Sequence, residues 1–402
     1  MSGSVGSASD FIRGITFKPD ELIAVEADDA VVCMRTKNVQ KDLDDSDLIA
    51  VPSRLVRNKE KLLRHGDILI SSANSWELVG KCSYVGELAY PATAGGFIAI
   101  VRPKKHTHPR YLYHWLTSPR MQHEIRHCGR QTTNISNLDV GRFKALPFPE
   151  FDFNEQRRIA AILDKADAIR RKRQQALVFA DEFLKSAYVH LVGHRNPAYG
   201  GWQPETIEKL AEDKKGAIRS GPFGSALLHS EFVDEGVAVL GIDNAVQNQF
   251  AWGQRRFITK EKYEELRRYR VFPGDVIITI MGTTGRSAVV PDNIPEAITT
   301  KHLASITCDT SKILPEVLSF AIHSDPMIIR QIKQHNKGAI MDGLNLGIIK
   351  QLVLPTPPMR LQQRFAEVLR NVSKQKEQIS NALGDGTELF ASLAQRAFRG
   401  EL

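Results

Sequence analysis

The sequence predicts an α+β protein. Two similar α/β globules are separated by two long antiparallel helices that form a coiled coil, and the whole is pseudo-two-fold symmetric. Three observations lead there. The run from Glu155 to Leu191 contains neither Gly nor Pro and carries an apolar stripe at alternating spacings of three and four. A second striped run follows Pro358 and reaches the C-terminus. The sequence on either side of the first run repeats itself at a nearly constant offset.

The central run reads EQRRIAAILDKADAIRRKRQQALVFADEFLKSAYVHL. Ile159, Ile162, Ala166, Ile169, Arg173, Ala176, Ala180, Phe183 and Ala187 form the stripe, and Leu163, Leu177, Leu184 and Leu191 widen it. This is the pattern of a helix burying one face against another helix. Asn154 is the expected N-cap, and Gly193 with Pro197 ends the run. At 1.5 Å per residue the helix would span roughly 55 Å. The expected core of the helix pair is Ile159, Ile162, Ile169 and Phe183 from the central helix, with Phe365, Val368, Val372 and Ile379 from the distal one. Gly384 and Gly386 interrupt the distal stripe. Each should cost about 1 kcal/mol in a helix interior, so a kink, fray or short break is expected there.

The order is globule 1–150, central helix 151–194, globule 195–356, distal helix 357–402. In the first globule Gly66-Asp67 turns into an apolar strand, Phe97 to Val101 is another, and Pro109 opens a helix. Gly274-Asp275 and Pro315 echo these in the second. Asn38 and Asn244 lie 206 apart (244 minus 38), as do Thr93 and Thr299, Met121 and Met327, and Gly141 and Gly347. The Gly-Asp pair drifts to 208 (274 minus 66), and Gln156 with Gln363 to 207 (363 minus 156).

Two striped helices bury their faces most economically on each other. The second must then run back along the first, which relates the halves by an approximate two-fold. Such a geometry suits a duplex, whose strands are also related by two-folds. Each globule would enter one groove, the rod would fix the base pairs between, and differing halves would read different half-sites.

Composition agrees with folded domains. The 402 residues are 42% apolar and 25% charged, which excludes a disordered chain. The net charge of +8 permits nucleic acid, an anionic membrane or acidic partners. The N-terminus has no signal-peptide pattern, and no apolar run approaches a membrane span. Cys33, Cys82, Cys128 and Cys308 are scattered and read as reduced thiols of a cytosolic protein.

FNEQRRIAAILDKADAIRRKRQQAL followed by DEFLKSAY resembles the central conserved region of the DNA-specificity subunits of Type I restriction–modification systems. SLAQRAFRGEL resembles the family's distal conserved region, and IRSGPFGSALL (Ile218 to Leu228) a motif that opens many of its target-recognition domains. The first globule has Phe11-Ile12-Arg13-Gly14-Ile15-Thr16-Phe17 near its start and lacks a GPFGS counterpart. The resemblance implies two target-recognition domains, each reading one half of a bipartite double-stranded DNA target. It implies a cytoplasmic, non-catalytic subunit with no membrane role. Two methyltransferase (modification) subunits would dock on it and use S-adenosylmethionine, and restriction subunits would translocate DNA with ATP and Mg. No cofactor would bind this chain directly.

Several motifs carry alternatives. His123-Glu124-Ile125-Arg126-His127 matches H-E-x-x-H, the pattern of a zinc-dependent hydrolase. Its repeat partner, taken as Ile329-Arg330-Gln331-Ile332-Lys333, loses every ligand, which favours DNA-facing or plain surface histidines. Gly282-Thr283-Thr284-Gly285-Arg286 is either a tight turn or a DNA-facing loop whose N–H groups cradle a phosphate. It lacks the Gly-Lys-Ser/Thr of a P-loop. Arg170, Arg171, Lys172 and Arg173 are either a solvated face or a contact with the spacer backbone or an acidic partner. Arg126 and Arg130 flank Gln131, Thr132, Thr133 and Asn134, while Arg330, Lys333 and Lys337 stand at the matching place. Arg and Lys suit phosphate or guanine, and Asn and Gln suit adenine. Arg35, Lys37, Asn38 and Trp76 are further DNA candidates in the first globule, with Arg219, Asn244 and Lys301 in the second. A coiled-coil adaptor that binds protein and not DNA is the remaining alternative, and it would not need two large globules.

Overall fold

The computed structural model of the chain describes residues 2–131, 135–335 and 343–402. It divides into two units, Met1–Gln174 with Asn381–Leu402, and Gln175–Ser380. Each long helix therefore contributes a segment to both.

The first unit is built on an antiparallel four-stranded sheet in the order Ser9–Arg13, Ile98–Pro103, Ile68–Ser71, Cys82–Tyr84. Ile68–Ser71 is buried throughout because both faces of the sheet are covered. Ile68 and Ile70 pack with Tyr111, Leu112, Leu116 and Ile125, while Leu69 points the other way toward Val32, Met34 and Ile100. A mixed sheet joins Ala50–Pro52, Ala30–Met34 and Ala92–Ala94. Helices Pro109–Thr117 and Pro119–His127 meet at Ser118, which ends one and caps the other through Met121 N. A third sheet joins Gly129–Gln131, Ser136–Leu138 and Ala73–Asn74.

The second unit repeats the plan with Ile218–Ser220, Leu303–Ile306, Val276–Thr279 and Ser287–Val289. Its mixed sheet is Phe257–Ile258, Val237–Leu240 and Ala297–Thr299. Helices Pro315–Ser324, Pro326–His335 and Leu346–Gln351 follow. The strand registers refine the repeat. Ala94 stands beside Met34 as Thr299 stands beside Leu240, so the counterpart of Thr299 is Ala94 and not Thr93. One extra residue, Asp325, precedes Pro326 and moves the next helix to an offset of 207 (326 minus 119). Buried Met121 and Ile125 are thus matched by buried Ile328 and Ile332, and Met327 is exposed. The counterpart of His123–His127 becomes Arg330 to Gln334, which also lacks the ligands. Gly14 and Gly221 occupy one place. A Cβ on either would run into two carbonyl oxygens of the facing turn, those of Ala94 and Gly95 or of Thr299 and Thr300. The segment around Arg13-Gly14 is therefore the first globule's counterpart of the GPFGS motif after all.

The central helix is Phe153–Leu191 and the distal helix Met359–Arg399. Asp152, not Asn154, caps the central one, its Oδ1 accepting from Asn154 N and Glu155 N at 3.0 Å each. The distal helix runs through Gly384 and Gly386 without the expected break. Gly386 leaves room for the Arg173 guanidinium, which donates to the Ala382 carbonyl at 2.6 Å.

Inside each unit the two helix segments pass antiparallel. In the first, Arg173 reaches Ala382, the Arg170 guanidinium stands over the Phe390 ring, and Ile159 and Leu163 share a core with Ala394 and Ala397. In the second, Lys376 pairs with Asp181, and Tyr188 packs on Phe365 with centroids 5.5 Å apart. Of the expected core, Ile159 and Phe365 are fully buried, while Ile162, Val368, Val372 and Ile379 are half-buried. Ile169 and Phe183 do not belong to it, being 45% and 55% exposed. Beyond Ile159 the deepest burial of large apolar side chains on the central helix falls on Leu163, Leu184 and Tyr188, each 5% exposed or less. Among the described residues no helix is long and apolar enough to cross a membrane.

Candidate nucleic-acid interface

In the first unit Trp76, Arg126 and Arg130 gather around the third sheet. Arg130 is exposed on its edge strand and bridges to Asp139 at 2.6 Å. Arg126 is half-buried on the preceding helix. Trp76 stands edge-on to His127 at 5.5 Å, and His127 lies 4.2 Å from His123, ring to ring. His127 Nδ1 is 2.9 Å from the His123 carbonyl, so the pair is tied to its own helical turn. Among the described residues no three His, Cys, Asp or Glu side chains gather to hold a metal. Thr132, Thr133, Asn134 and Lys337 lie outside the described residues, as does the side chain of Gln131.

Two expected base readers are loop organisers. Asn38 Oδ1 accepts from Arg35 N at 2.8 Å, and its Nδ2 donates to the carbonyls of Asp44 (2.8 Å) and Asp47 (3.1 Å). Asn244 Oδ1 accepts from Gly241 N and its Nδ2 donates to the Ala251 carbonyl, both at 2.8 Å. Both side chains are buried and tied to backbone through acceptor and donor, so neither reaches a base edge.

Arg219 is corrected likewise. It is 8% exposed, ion-paired to buried Asp275, and donates to the Arg270 carbonyl (2.8 Å) and Thr307 Oγ1 (2.9 Å). In the first unit Asp67 fills the place of Asp275, but its partner, Arg102, comes from a different strand at 2.7 Å. Arg35 and Lys37 both pair with Asp47. Of the basic cluster on the central helix, Arg170 and Arg171 pair with Asp167, Arg171 also pairs with Asp42, and Arg173 is the side chain lodged at Gly386. Lys172 is the exposed member.

The globule–helix contact of each unit is charged, with the signs exchanged. Arg110 and Asp164 pair in the first, and Glu316 and Arg370 at the same places in the second. Burial alone would raise the Asp164 carboxyl, but hydrogen bonds from His114 and Arg110 hold it down at about 2.

In the second unit Thr283, Arg286, Lys301, Arg330 and Lys333 are exposed, and Thr284 is half-buried. The loop does not offer all its N–H groups to a phosphate. Gly285 N donates to the Thr279 carbonyl and Arg286 N to Thr279 Oγ1, each at 3.0 Å. Beside the loop lies a cleft of about 640 Å³ lined by Gly282–Arg286, Ile329, Ile332, Lys333 and His323. Ser287 Oγ donates to the Ser319 carbonyl at 2.7 Å, so His323 Nδ1, 3.0 Å from that oxygen, is the donor to it. Burial, with the nearby Arg286 and Lys185 cations, pushes the imidazole down to about 4. A larger groove of about 1060 Å³ holds Lys209, Lys215, Lys312 and Lys350 among glutamates. It contains none of the cations expected from the sequence.

Sequence reasoning missed the turn Gly95–Phe97. The registers make it the counterpart of Thr300–His302, and Lys301 was the signal that pointed there.

The family model described as Type I restriction modification DNA specificity domain matches residues 22–177 and again 225–384. The chain is 24% identical to the Type I restriction enzyme StySPI specificity subunit of Salmonella potsdam, over 99% of this chain and 88% of that one. It is 23% identical to the EcoKI specificity subunit of Escherichia coli K12 over the same shares. Its fold is similar to the crystal structure of the S subunit of the Type I restriction–modification system from M. genitalium, with TM-score 0.63, 14% identity, and coverage of 99% and 96%. With both copies of the matched domain spanning most of its length, the chain belongs to the family of DNA specificity subunits of Type I restriction–modification systems.

Proposed function

We propose that this chain is the non-catalytic reader of a bipartite DNA target, each unit recognising one half-site of a duplex. The observation that carries this reading is one scaffold built twice with different side chains at matching surface places. Gly96-Phe97 stands where Lys301-His302 stands, and Arg126 where Lys333 stands. A duplicated frame with unlike tips supports two unlike half-sites. Exposed Arg and Lys supply sequence-independent affinity through phosphates. The length of the central and distal helices sets the base pairs between the half-sites.

Two methyltransferase subunits dock on the chain, and restriction/translocase subunits join them. S-adenosylmethionine, ATP and Mg act on those partners, and the chain works in the cytoplasm beside its DNA. The exposed apolar residues Val178, Phe179 and Phe183 support a partner surface on the central helix. The test is selection of bound duplexes from a random pool with the modification subunits present. Exchanging residues 1–150 for those of a relative should alter one half-site only. Removing one turn from each long helix should shorten the spacer and leave both half-sites as they were. A spacer that does not change sinks the ruler, and a change in both half-sites sinks the division of labour.

A further inference from the structure

We infer that Phe97 is a specificity-determining residue of the first unit, making an apolar contact with a base of its half-site. This rests on the reading that each unit recognises a half-site of duplex DNA. At 61% exposed, Phe97 is largely open to water. A single exposed apolar side chain needs no explanation on its own. Three further facts separate this one from that background.

First, the turn that carries it is held rigidly on both sides. Ile98 N donates to the Gly95 carbonyl at 2.9 Å, closing the turn, and Gly95 N donates to the Met34 carbonyl at 2.9 Å. The Phe97 carbonyl accepts from Ser72 N at 2.9 Å and Ala73 N at 3.2 Å. The backbone that presents the ring therefore needs no ordering on binding.

Second, those same bonds place it among the DNA candidates. Ala73 begins the strand that pairs with Ser136–Leu138, whose other neighbour carries Arg130. The strand leads on toward Trp76. On the other side Arg13 is exposed on the strand paired with Ala99, and Lys61 Nζ reaches the Gly14 carbonyl at 3.1 Å. An apolar tip flanked by cations fits a duplex, with phosphates for the cations and base edges for the ring. It does not fit an apolar protein partner, which would have to desolvate those cations.

Third, the repeat places a different chemistry at the same spot. The second unit has Lys301 and His302 there, and Ile280 N donates to the His302 carbonyl at 2.9 Å as Ser72 N does to that of Phe97. Half-buried His302 stands at the place of Phe97 and exposed Lys301 at that of Gly96, so one frame offers an imidazole beside a lysine to one half-site and a hydrophobic ring to the other. A ring meets either the methyl group of thymine or an unstacked base step.

The experiment uses the full chain assembled with its modification subunits and the duplex selected above. Phe97→Ala should weaken binding about 10-fold or more, relax base preference at one or two positions of one half-site, and leave the other half-site and thermal stability unchanged. Phe97→Leu should recover most of the loss. Deoxyuridine in place of thymidine at the relaxed position should reproduce the loss if the contact is to the methyl. 2-Aminopurine fluorescence that rises in the wild type but not in Phe97→Ala identifies a wedged step. If the wild type selects a bipartite duplex and Phe97→Ala selects the same one with equal affinity, this inference fails while the proposed function stands. If the wild type selects no duplex, the proposed function itself fails.

Discussion

Gln156 and Gln362 make the same three hydrogen bonds in the two units. Gln156 Oε1 accepts from His108 N at 2.8 Å, and its Nε2 donates to the carbonyls of His106 (3.2 Å) and Phe151 (2.9 Å). Gln362 Oε1 accepts from Leu314 N at 2.9 Å, and its Nε2 donates to Lys312 (2.9 Å) and Pro357 (2.8 Å). Every partner lies at the same offset of 206 (362 minus 156), so the counterpart of Gln156 is Gln362 and not Gln363. Each Gln ties the first turn of a long helix to the segment that enters the globule's first long helix.

Replacing either Gln with Ala removes three hydrogen bonds to mostly half-buried backbone groups, each worth about 1 kcal/mol. Gln156→Ala should lower stability by about 3 kcal/mol and speed amide exchange in the first unit only. Gln362→Ala should do so in the second. Equal loosening of both units by one variant would contradict two separately locked copies. Thermal unfolding with amide hydrogen exchange measures both.

Arg219 and Lys333 offer a test that separates a structural cation from one proposed to face DNA. Arg219→Met leaves Asp275 buried without its partner and should cost about 3–5 kcal/mol. Lys333 is exposed, so Lys333→Ala should leave unfolding unchanged and reduce the slope of log affinity against log salt by about 1. A salt titration and a melting curve of each variant decide it. An unaltered melting temperature for Arg219→Met would overturn the structural role.

The contrast shows where the sequence was legible. Duplication, the long helices and the strand after each Gly-Asp turn follow from period and offset, which are properties of the chain itself. The site was legible only as loops. Arg219 and Asn244 look like readers because Arg and Asn read bases, yet each is used up by a backbone or carboxylate that sequence spacing does not reveal. Phe183 looks like core because it sits on the apolar stripe, yet the neighbouring column of Leu184 and Tyr188 takes the burial. Phe97 was passed over because apolar residues beside a strand read as strand.

His323 should give the second unit a stability that falls in acid. Its folded value of about 4 lies below the ordinary imidazole value, so the fold favours the neutral ring. The contribution is complete above about 6.5, the usual unfolded value, and is lost as pH falls toward 4. The loss should reach about 3 kcal/mol at most, and His323→Gln should flatten that part of the profile. Urea unfolding between pH 4 and 7 measures it. An equal slope in the variant would assign the acid sensitivity to other groups.

Gly384 and Gly386 should respond differently to Ala, although both sit inside one helix. Nothing lies within 4 Å of a Cβ added at Gly384, so Gly384→Ala should gain about 1 kcal/mol from helix propensity alone. A Cβ at Gly386 would lie 2.8 Å from Arg173 Nη1. The guanidinium must move and give up its bond to the Ala382 carbonyl, so Gly386→Ala should gain little or lose. In an Arg173→Ala background the two substitutions should become equivalent. Thermal unfolding of the six proteins (the wild type, Arg173→Ala, and each Gly variant in both backgrounds) closes the comparison, and equal gains with Arg173 present would remove the reason given for Gly386.

Phe179 and Phe183 lie one helical turn apart on the central helix, 56% and 55% exposed, with Val178 beside them. Because these rings are exposed in the chain alone, Phe179→Ser and Phe183→Ser should leave its melting temperature within about 1 °C. If they anchor a modification subunit, each buries a ring on assembly, and truncating such an anchor costs about 2 kcal/mol, or 30-fold in affinity. Sedimentation of the chain with its modification subunits reads that loss directly. Phe365→Ser is the control, since that ring is fully buried and its loss should unfold the second unit before assembly is in question. Assembly of both exposed variants with undiminished affinity would move the docking surface elsewhere on the helices, and Lys172, the exposed member of the basic cluster, is the next place to look.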